Sequence, residues 1–547
     1  MCIMNIVVTE RDVYPWTVNK RCYFRGYIQK NSGECLRGID AIDYFFCEDY
    51  NVFLEKVKNI YGCFSVILVH DNECYLAVDV ARSMPLYYDT SLSIISDNAE
   101  EIRKFLNIKT SSIDIKKAAE LLTTSYIIGD HTIYSDIHQL EIGCAGRIND
   151  GTIRKNYYFR HYSKGFVDNE NKAMEKLRVA SNNMVMRLKY LINDRPLLVS
   201  LSGGYDSRYI VCTLKENGFS NVVCYSYGRK GSFELVQAEQ VAKAVGYKWI
   251  KIEYDEEDND LILSPEGIKY MNYCYNHEYM VYIQNFTAVK KIFDNKLVPA
   301  NSIVITGLCN DIHTGLYTPS INVAAEYGFN KNGLAEFIVD KRFARYAPIN
   351  SYREYLKNEV ISMMEFYDLN VNDHMSFIRA YDCLDAGFSH SRCFLNMNKV
   401  HEFYGYEWAL PCWDKELLDF WYSLSPDLRR SQYLYEKYIT EFLGKKYGVG
   451  QKKYTNNEGR SKVSKFIRRN VGGMIVGICY PLGIPVKRKS DINNFSTLEV
   501  KLYKELSQKY VIAKRHAAFT LLLTAYLMEK RYGRQWGRDV MKIIRKT

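Results

Sequence analysis

The sequence predicts an α+β domain, then an α/β domain with a doubly wound parallel sheet, and then a helical carboxyl-terminal part. Short apolar or alternating runs, broken by Gly, Asn and Asp, occupy the first ~160 residues of the 547-residue chain and indicate strands joined by tight turns. Apolar strands then alternate with helical patterns, which is typical of a parallel sheet covered on both faces. From about residue 320 onward the periodicity is mostly helical.

The predicted elements follow this order along the chain. The strands of the first domain are CYFRGYI, CFSVILV, CYLAVDV, PLYYD and LSIISD, interrupted by the helical patterns AEEIRKFL and IDIKKAAELLTTSYI. The second domain begins with the long amphipathic helix NKAMEKLRVASNNMVMRLKYLI and continues with the strands LLVSL, NVVCYSY, KWIKIEY and SIVITG. We therefore place the domains at 1–162, 163–445 and 446–547, the last being a basic loop and a helical extension.

Composition limits the function classes. The net charge is +10 and 47% of the residues are hydrophobic, which suits a globular protein with an anionic substrate and does not by itself favour nucleic acid. The 15 cysteines include no Cys-x-x-Cys pair, which argues against a zinc ribbon or a thioredoxin-type motif. The amino terminus does not resemble a secretory signal, so we expect free thiols and a cytoplasmic location.

The most apolar long stretch, 470–486, contains Gly-Gly and two prolines. It is shorter than the roughly 20 residues that a membrane-spanning helix needs. We therefore predict no transmembrane segment and interpret the stretch as buried and irregular. Basic residues on both sides of it leave membrane contact as an alternative.

A polar, glycine-rich loop follows the strand LLVSL in the stretch LLVSLSGGYDSRYI. Ligands of doubly wound sheets bind beyond the carboxyl ends of the strands, and Leu201 begins the loop at such an end. Gly203 and Gly204 can adopt positive φ and let the backbone approach a ligand closely. Successive N–H groups at the amino terminus of a helix bind anions, so the loop predicts a phosphate site.

The side chains of the loop suit the same ligand. Ser202 and Ser207 can donate hydrogen bonds to phosphate oxygens. The carboxylate of Asp206 would repel phosphate unless it binds a cation, and Mg²⁺ is commonly held by one or two carboxylates together with phosphates. The loop therefore predicts a phosphate site that contains Mg²⁺, and the structural alternative is a glycine turn capped by Ser or Asp.

The pattern Ser-Gly-Gly-x-Asp-Ser, placed between an apolar strand and a helix, resembles the pyrophosphatase loop (PP-loop) of the ATP-pyrophosphate-releasing enzymes. It is not a Walker loop, because no Gly-Lys-Ser/Thr follows it. The resemblance implies ATP as the nucleotide. It also implies that the loop holds the β- and γ-phosphates while the α-phosphate is attacked, which leaves an adenylated substrate and pyrophosphate.

Two further stretches resemble the asparagine synthetase family. YSYGRKGSFELVQAEQVAKAVGY is similar to the second strand and helix of that family, whose backbone holds adenine, and this implies nucleotide contacts at Ser226, Tyr227 and Gly228. ITGLCNDIHTGLY is similar to a downstream family motif. It matches at Gly307 and at Asp311, which by resemblance is the second magnesium ligand.

A third stretch, GYEWALPCWDKELLDFW, resembles another motif of the family. By this resemblance Glu407 acts as a base toward an incoming amine, and a structural ion-pair role is an equally weighted alternative. Upstream, GCFSVILVHDNECYLAVDVARSMPLYYDTSLSIISDNAEEI resembles the family's glutaminase domain, which implies an amino-terminal-nucleophile (Ntn-type) sandwich. The resemblance covers residues 20–445 in the order and spacing of its motifs.

Three positions depart from the family pattern. Leu308 and Ile312 replace two glutamates of the downstream motif, and the first of these serves aspartate activation in the family. Ala409 replaces an arginine. These changes resemble the divergent asparagine-synthase-related branch found with surface-polysaccharide genes, so the resemblance does not extend to free aspartate as the substrate.

Cys2 follows the initiator methionine, as in the Ntn-type amidotransferases. After removal of Met1 its thiolate would be the nucleophile and its α-amine the general base. Other parts of a glutaminase site are missing, including the Arg-His-Arg-Gly-Pro and Arg-Leu-Ser segments, and Arg25 occupies the place of the oxyanion-hole asparagine. An incomplete constellation loses its chemistry, so we expect a degenerate glutaminase-like domain without glutamine hydrolysis.

The basic stretch 445–469 carries nine Lys or Arg and one Glu. In the family a late lysine stabilises the departing pyrophosphate, and Lys452 and Lys453 are the candidates here. A solvated basic loop is the alternative, and nucleic-acid binding is disfavoured because stacking aromatics are not interleaved. His313 is a weaker candidate for the site, with a hydrogen-bonded structural role as its alternative.

These observations predict an ATP-dependent, AMP- and pyrophosphate-forming amidotransferase or amide ligase of asparagine synthetase type. We expect it to use Mg²⁺ and an amine or ammonia donor on a small molecule or a surface-polysaccharide sugar, with no nucleic acid as partner. Two alternatives remain: a glutamine-dependent asparagine synthetase, and a peptide or small-molecule amide cyclase similar to β-lactam synthetase or the lasso-peptide cyclases. A separate ammonia-supplying subunit and a homodimer also remain open.

Overall fold

The computed structural model describes residues 4–19, 21–308, 310–343, 352–450, 475, 478–486, 488, 491–509, 519–533, 537 and 540. The strands of this part of the chain are β1 (Asn5–Val7), β2 (Thr17–Asn19), β3 (Cys22–Gln29), β4 (Cys35–Leu36), β5 (Tyr61–Val69), β6 (Glu73–Val78), β7 (Tyr87–Asp89), β8 (Ile94–Ser96), β9 (Ile137–Gln139), β10 (Cys144–Asn149), β11 (Thr152–Tyr157), β12 (Leu197–Ser200), β13 (Val222–Arg229), β14 (Lys248–Tyr254), β15 (Ile303–Ile305) and β16 (Glu407–Ala409).

The α-helices of the same residues connect and cover the strands. They are Gly38–Phe45, Tyr50–Lys58, Ala99–Phe105, Ile115–Thr124, Glu170–Ile192, Tyr205–Glu216, Phe233–Val245, Pro265–Cys274, Phe286–Asp294, Asn310–His313, Ile321–Tyr327, Lys331–Ile338, Arg353–Phe366, His374–Asp385, Lys399–Phe403, Lys415–Ser423, Pro426–Arg429, Tyr433–Lys437, Gly444–Tyr447, Ser496–Ser507 and Phe519–Tyr532. None of them combines the length and apolarity that crossing a bilayer requires.

The amino-terminal part contains two packed sheets. One has the order β11–β10–β6–β5–β3–β2, with β4 paired to β3, and the other has the order β1–β8–β7–β9. Successive side chains of a strand point to opposite faces. Phe64 and Val66 of β5 accordingly pack against the helices Gly38–Phe45 and Tyr50–Lys58, while Ile67 packs toward the second sheet. The result is a sandwich covered by helices, as expected for an α+β domain.

The third sheet is parallel throughout and has the order β14–β13–β12–β15–β16. The chain runs outward from β12 to β14 and then returns to the other side of β12 with β15. Such a reversal of strand order opens a crevice at the carboxyl ends of the two central strands. This sheet is the doubly wound sheet that the alternating pattern predicts, and β12 and β15 mark its crevice.

The segment from about residue 320 onward is mostly helical, as predicted, but the three-residue strand β16 within it extends the parallel sheet, because a strand this short has no visible period. The stretch 470–486 was expected to be buried. Among its described residues Tyr480 is buried, whereas Ile478 and Leu482 are 62% and 66% exposed, so that expectation is only partly met. The described cysteines are free thiols, as expected.

Buried ion pairs join the amino-terminal sandwich to the segment that precedes β16. Arg25 is 1% exposed, and its guanidinium donates to the carboxylate of Glu402 at 2.5 Å, while Glu402 is also 3.0 Å from the ammonium of Lys399. Burial opposes ionisation of Glu402, but the neighbouring cations outweigh burial and lower the pKa of this carboxyl. These ion pairs therefore hold the sandwich against the segment before β16, and the two cations compensate the cost of burying the charge of Glu402.

We predict that Glu402→Ala destabilises the protein by about 3–5 kcal/mol, because it leaves Arg25 and Lys399 as buried, uncompensated cations. Denaturant midpoints of the purified variant measure the effect. Glu55→Ala is the matched control. Its pair with Lys58 is exposed and is expected to contribute less than about 1 kcal/mol. Equal midpoints for the two variants would contradict the role assigned to Glu402.

Candidate active site

A cavity of about 350 Å³ lies at the carboxyl ends of β12, β13 and β15, where the strand order reverses. Eight of the residues predicted to bind nucleotide or metal line it: Leu201, Ser202, Asp206, Ser207, Ser226, Tyr227, Gly307 and Asp311. Gly203, Gly204 and Gly228 lie within two positions of lining residues but are not part of the lining. The structure therefore brings together groups that lie up to 110 positions apart in the chain.

The loop after β12 is closed by its own hydroxyls. Ser207 Oγ accepts a hydrogen bond from the backbone N–H of Ser202 at 3.0 Å, and Ser202 Oγ accepts one from the N–H of Gly204 at 3.1 Å. The two hydroxyl oxygens lie 3.1 Å apart. Both serines, predicted as phosphate donors, thus also hold the loop in shape at the start of helix Tyr205–Glu216.

The loop presents an N–H group to a negative charge. Gly203 N–H donates to the carboxylate of Glu234 at 2.7 Å, so an anionic oxygen already occupies one position that the loop offers. Neither Gly203 nor Gly204 has the positive φ that the sequence suggests. Instead, a Cβ on Gly203 would lie 2.4 Å from Gln237 Oε1, so this glycine serves close approach. The donor set fits an anion such as phosphate.

The two predicted metal-binding carboxylates are oriented by one short segment. Tyr435 donates from its hydroxyl to Asp206 Oδ1 at 3.0 Å, and Gln432 Nε2 donates to Asp311 Oδ1 at 3.2 Å. Burial, reinforced by the charge of Asp206, raises the pKa of Tyr435 well above its usual value, so the phenol remains a neutral donor. Ser431 and Gln432 have φ of 55° and 64°, a costly backbone conformation for residues with a Cβ.

Gly307, two residues after β15, makes a close contact with the helix that follows the loop. A Cβ at this position would lie 2.8 Å from the carbonyl carbon and 2.9 Å from the carbonyl oxygen of Asp206. The absence of a side chain therefore lets the end of β15 contact the first turn of helix Tyr205–Glu216. Asp206, near the amino terminus of that helix, also gains from the positive end of the helix dipole.

Arg208 connects the loop to a distant turn. It is fully buried, and its guanidinium donates to the carbonyl of Gly203 at 3.2 Å and to the carbonyl of Val449 at 2.9 Å. Burial lowers the pKa of this side chain. Val449 lies three positions before the first of the predicted lysines, although Lys452 and Lys453 themselves lie outside the described residues, as does Cys2.

One wall of the cavity comes from the carboxyl-terminal part. Ile492 and Asn493 line it, and the carbonyl of Ile492 accepts a hydrogen bond from Arg229 N–H at 2.6 Å. A Cβ on Gly228 would lie 2.9 Å from that same carbonyl oxygen, so Gly228 makes room for this segment. Gly228 was predicted to contact the nucleotide, whereas no role was predicted for residues 492 and 493.

Other lining residues were also not predicted. They are Ser200, Glu234, Tyr282, Gln284, Thr306, Leu308, Tyr317 and Met397. Five of them belong to stretches that resemble the family, which was a usable signal: Ser200, Glu234, Thr306, Leu308 and Tyr317. Tyr282, Gln284 and Met397 lie outside those stretches. Ser226 lines the cavity, but its hydroxyl donates a hydrogen bond to the carbonyl of Leu201 at 2.6 Å.

The structure does not bring Glu407 to the cavity. It pairs with Ile303, the first residue of β15, so it lies at the amino ends of the parallel strands and not at the carboxyl ends. Its carboxylate accepts from Arg37 at 3.0 Å and from Arg195 at 2.8 Å. Burial alone would raise its pKa, but these two arginines lower it. The ion-pair alternative fits, and the expectation of a base at the reaction site is corrected.

His313 is likewise outside the lining. It is fully buried and its Nδ1 lies 2.9 Å from the hydroxyl of Tyr422, with Trp413 packed edge-on at 4.5 Å between ring centroids. The ring of His161 stacks against it at 5.6 Å, and burial lowers the pKa of His161 to about 4. The structural alternative for His313 therefore fits its surroundings.

Comparison with known proteins finds similarity over the segment that contains the loop. Residues 188–264, which contain the loop and β12 to β14, match the model of the asparagine synthase family. Over 95 residues the chain is 35% identical to a probable asparagine synthetase (glutamine-hydrolysing) of Acanthamoeba polyphaga mimivirus, covering 17% of each chain. Over 167 residues it is 24% identical to the microcin J25-processing protein McjC of Escherichia coli, covering 30% of each.

Solved structures give weaker similarity. The NH3-dependent NAD synthetase of Campylobacter jejuni aligns at 16% identity with a TM-score of 0.19, covering 37% of this chain and 86% of that one. The glutamine phosphoribosylpyrophosphate amidotransferase of B. subtilis aligns at 8% identity with a TM-score of 0.18, covering 56% and 65%. At these TM-scores neither structure supports an argument about the site.

A doubly wound parallel sheet with an anion-binding loop and two carboxylates at its switch point defines a nucleotide-binding type of α/β domain. Residues 188–264, which include that loop, resemble the asparagine synthase family, and the curated similarities are to an asparagine synthetase and to McjC. The matched segments span less than a third of the length of either curated relative. The family resemblance seen in the sequence is thereby confirmed, and the activity of the whole chain is addressed below as a proposal.

We predict that Gly307→Ala weakens ATP binding and lowers stability by about 1–3 kcal/mol, because the new methyl group must displace the backbone of Asp206. Titration of ATP with Mg²⁺, together with thermal unfolding, measures both effects. Gly387→Ala is the matched control, since a Cβ there meets nothing closer than 3.9 Å. Wild-type ATP affinity in Gly307→Ala would contradict the packing argument.

Proposed function

We propose that the protein is an ATP-dependent amide-forming ligase that activates a carboxylate by adenylation and releases AMP and pyrophosphate. The observation that carries the proposal is the pairing, in one cavity, of an anion-binding loop with Asp206 and Asp311. The match of residues 188–264 to the asparagine synthase family model supports the same class of reaction. Asp206 makes sense beside phosphates only if a cation separates them.

The residues have distinct proposed roles. The N–H of Gly203 and the adjoining helix terminus bind phosphate oxygens once Glu234 yields its place. Asp206 and Asp311 hold Mg²⁺, and the bound ion neutralises charge on the phosphates. Tyr435 and Gln432 fix the two carboxylates through hydrogen bonds, so that the site is organised before the nucleotide arrives.

The proposed reaction has two balanced steps. A carboxylate oxygen of the substrate attacks the α-phosphorus of ATP, and the bond to the β-phosphate oxygen breaks, releasing pyrophosphate. The nitrogen of an amine or ammonia then attacks the acyl carbon of the adenylate, loses a proton, and displaces AMP. Lys452 and Lys453 remain candidates to stabilise pyrophosphate, since Arg208 anchors the turn at Val449 that precedes them.

Two acceptor classes follow from the sequence. The replaced glutamates at Leu308 and Ile312 favour an acceptor other than free aspartate, and a surface-polysaccharide sugar remains the first prediction. Leu308 lines the cavity, so an apolar side chain stands where the family has a carboxylate. Similarity to the microcin J25-processing protein favours a peptide as the second candidate.

We predict that the purified protein with ATP, Mg²⁺ and its acceptor forms AMP and pyrophosphate in equal amounts. A screen over free carboxylates, carboxylated nucleotide sugars and peptides, with hydroxylamine as the trapping amine, measures pyrophosphate and hydroxamate. Asp206→Asn and Asp311→Asn should reduce both to background, because each removes a carboxylate needed to hold the cation.

Asp427→Asn is the matched control, because Asp427 is 86% exposed and its pair with Arg430 is a surface contact. It should retain wild-type turnover. Formation of ADP and inorganic phosphate, or unchanged turnover in both Asp206→Asn and Asp311→Asn, would refute the proposal. Absence of nucleotide binding to the folded protein would refute it as well.

We propose further that the amino-terminal sandwich has a structural role and hydrolyses no glutamine. Arg25, where the family has the oxyanion-hole asparagine, is buried and bonds to Tyr14 carbonyl at 2.9 Å and to Glu402. We therefore predict no glutamate release from glutamine by the pure protein. Glutamate release that Cys2→Ala abolishes would contradict this.

A further inference from the structure

A cluster of metal-binding side chains lies in the amino-terminal part, in segments distinct from the nucleotide cavity. It consists of Asp130, His131 and His138, which we call the histidine cluster. All three are partly exposed, and one potential ligand atom from each lies within 4.8 Å of the other two. His138 lies on β9, and His131 forms an isolated antiparallel bridge to it, so the backbone brings both rings together.

The distances suit a single small cation. Nδ1 of His131 and Nδ1 of His138 are each 3.7 Å from the same oxygen, Asp130 Oδ1. A tetrahedral ion with bonds of about 2.0–2.1 Å separates its ligand atoms by about 3.3 Å. The cluster therefore needs only small side-chain movements to surround an ion, and no strand needs to move.

A neighbouring hydroxyl favours the required tautomer. Thr90 Oγ1 lies 3.2 Å from His138 Nε2, the ring nitrogen opposite the proposed ligand atom. When Nε2–H donates to a hydroxyl, Nδ1 carries the lone pair, and an outer hydrogen bond of this kind is typical of metal-binding histidines. The ring of Tyr88 stacks on His138 at 5.8 Å and limits its rotation.

The loop that carries Asp130 and His131 is held firmly. Gln139 N–H donates to the carbonyl of Asp130 at 2.9 Å, and Arg392 donates to the carbonyls of Ile127 and Gly129. A preorganised set of ligands lowers the entropy cost of binding. The loop would not need to fold around the ion.

The charges around Asp130 and a groove beside the histidine cluster also suit a bound cation. Asp130 Oδ2 is 2.9 Å from the ammonium of Lys155, which leaves the other oxygen facing the histidines, and Glu141 is 2.8 Å from the same ammonium. A groove of about 500 Å³, lined in part by Asp130 and His138, opens beside the cluster. It gives an ion an entry path and room for a water molecule as fourth ligand.

We propose that Asp130, His131 and His138 form a binding site for a divalent transition-metal ion of the Zn²⁺ class. Two imidazoles and one carboxylate are ligands that Zn²⁺ prefers, whereas Mg²⁺ and Ca²⁺ prefer oxygen ligands alone. The three protein ligands leave the fourth position open to the groove. The bound ion links β9 to the loop at 130–131 and stabilises the folded amino-terminal part by mass action.

The test uses the full-length, tag-free protein after chelator treatment. Titration calorimetry with Zn²⁺, and visible absorption with Co²⁺, report the number of ions bound and their ligands. Free thiols can also bind Zn²⁺, so the decisive quantity is the difference between wild type and His131→Ala/His138→Ala. We expect the wild type to bind one more ion, with a Co²⁺ spectrum lacking thiolate charge-transfer bands for that ion.

Further variants keep the test decisive. Thr90→Ala should weaken the site roughly tenfold, as loss of an outer hydrogen bond typically does. His70→Ala is the matched control, a histidine of the same sandwich that contacts Glu48 and lies outside the cluster. If the double variant does not fold, Asp130→Asn and Thr90→Ala replace it. Equal stoichiometry and affinity in wild type and the folded variants would overturn the proposal.

Discussion

The contact between Gly307 and the backbone of Asp206 is the constraint on which the candidate site depends. It brings the end of β15 against the first turn of the helix that follows β12, at the point where the strand order reverses. Any side chain at residue 307 would separate these two elements. Because Asp206 and Asp311 belong to the segments on either side of this contact, the contact also sets how the two carboxylates face the cavity.

Much of the site could be predicted because its signals are local. The loop after β12 has its apolar strand, its glycines and its helix within fourteen residues, and the second motif places Asp311 close after Gly307. Both segments line the cavity. The parallel sheet was also predictable, since continuous apolar strands alternating with helices admit few other arrangements.

The rest of the site depends on contacts that have no local signature. Gln432 and Tyr435 reach carboxylates 121 and 229 positions away, and Ile492 closes a wall beside Gly228. Glu407 matched a motif in sequence but lies at the amino ends of the strands, because its place in β16 was not recognisable from three residues. The motif match identified Glu407 in the sequence but did not predict where its side chain lies in the fold.

The amino-terminal sandwich is joined to the segment around β16 by ion pairs and a hydrogen bond. Arg25 and Arg37 each form ion pairs with the segment around β16, to Glu402 and Glu407 respectively, and the hydroxyl of Tyr14 donates to Trp408 carbonyl at 2.6 Å. These contacts attach the sandwich to the parallel-sheet part, in line with the proposal that it has a structural role.

The central claim is that Asp206 and Asp311 together bind the cation that accompanies ATP at the loop. A crystal structure of the protein with Mn²⁺ and α,β-methylene ATP, with anomalous scattering recorded from manganese, tests it most directly. The account predicts manganese bound by carboxylate oxygens of both residues, with phosphate oxygens at Gly203 N–H. Manganese or triphosphate bound elsewhere, with both carboxylates uninvolved, would contradict it.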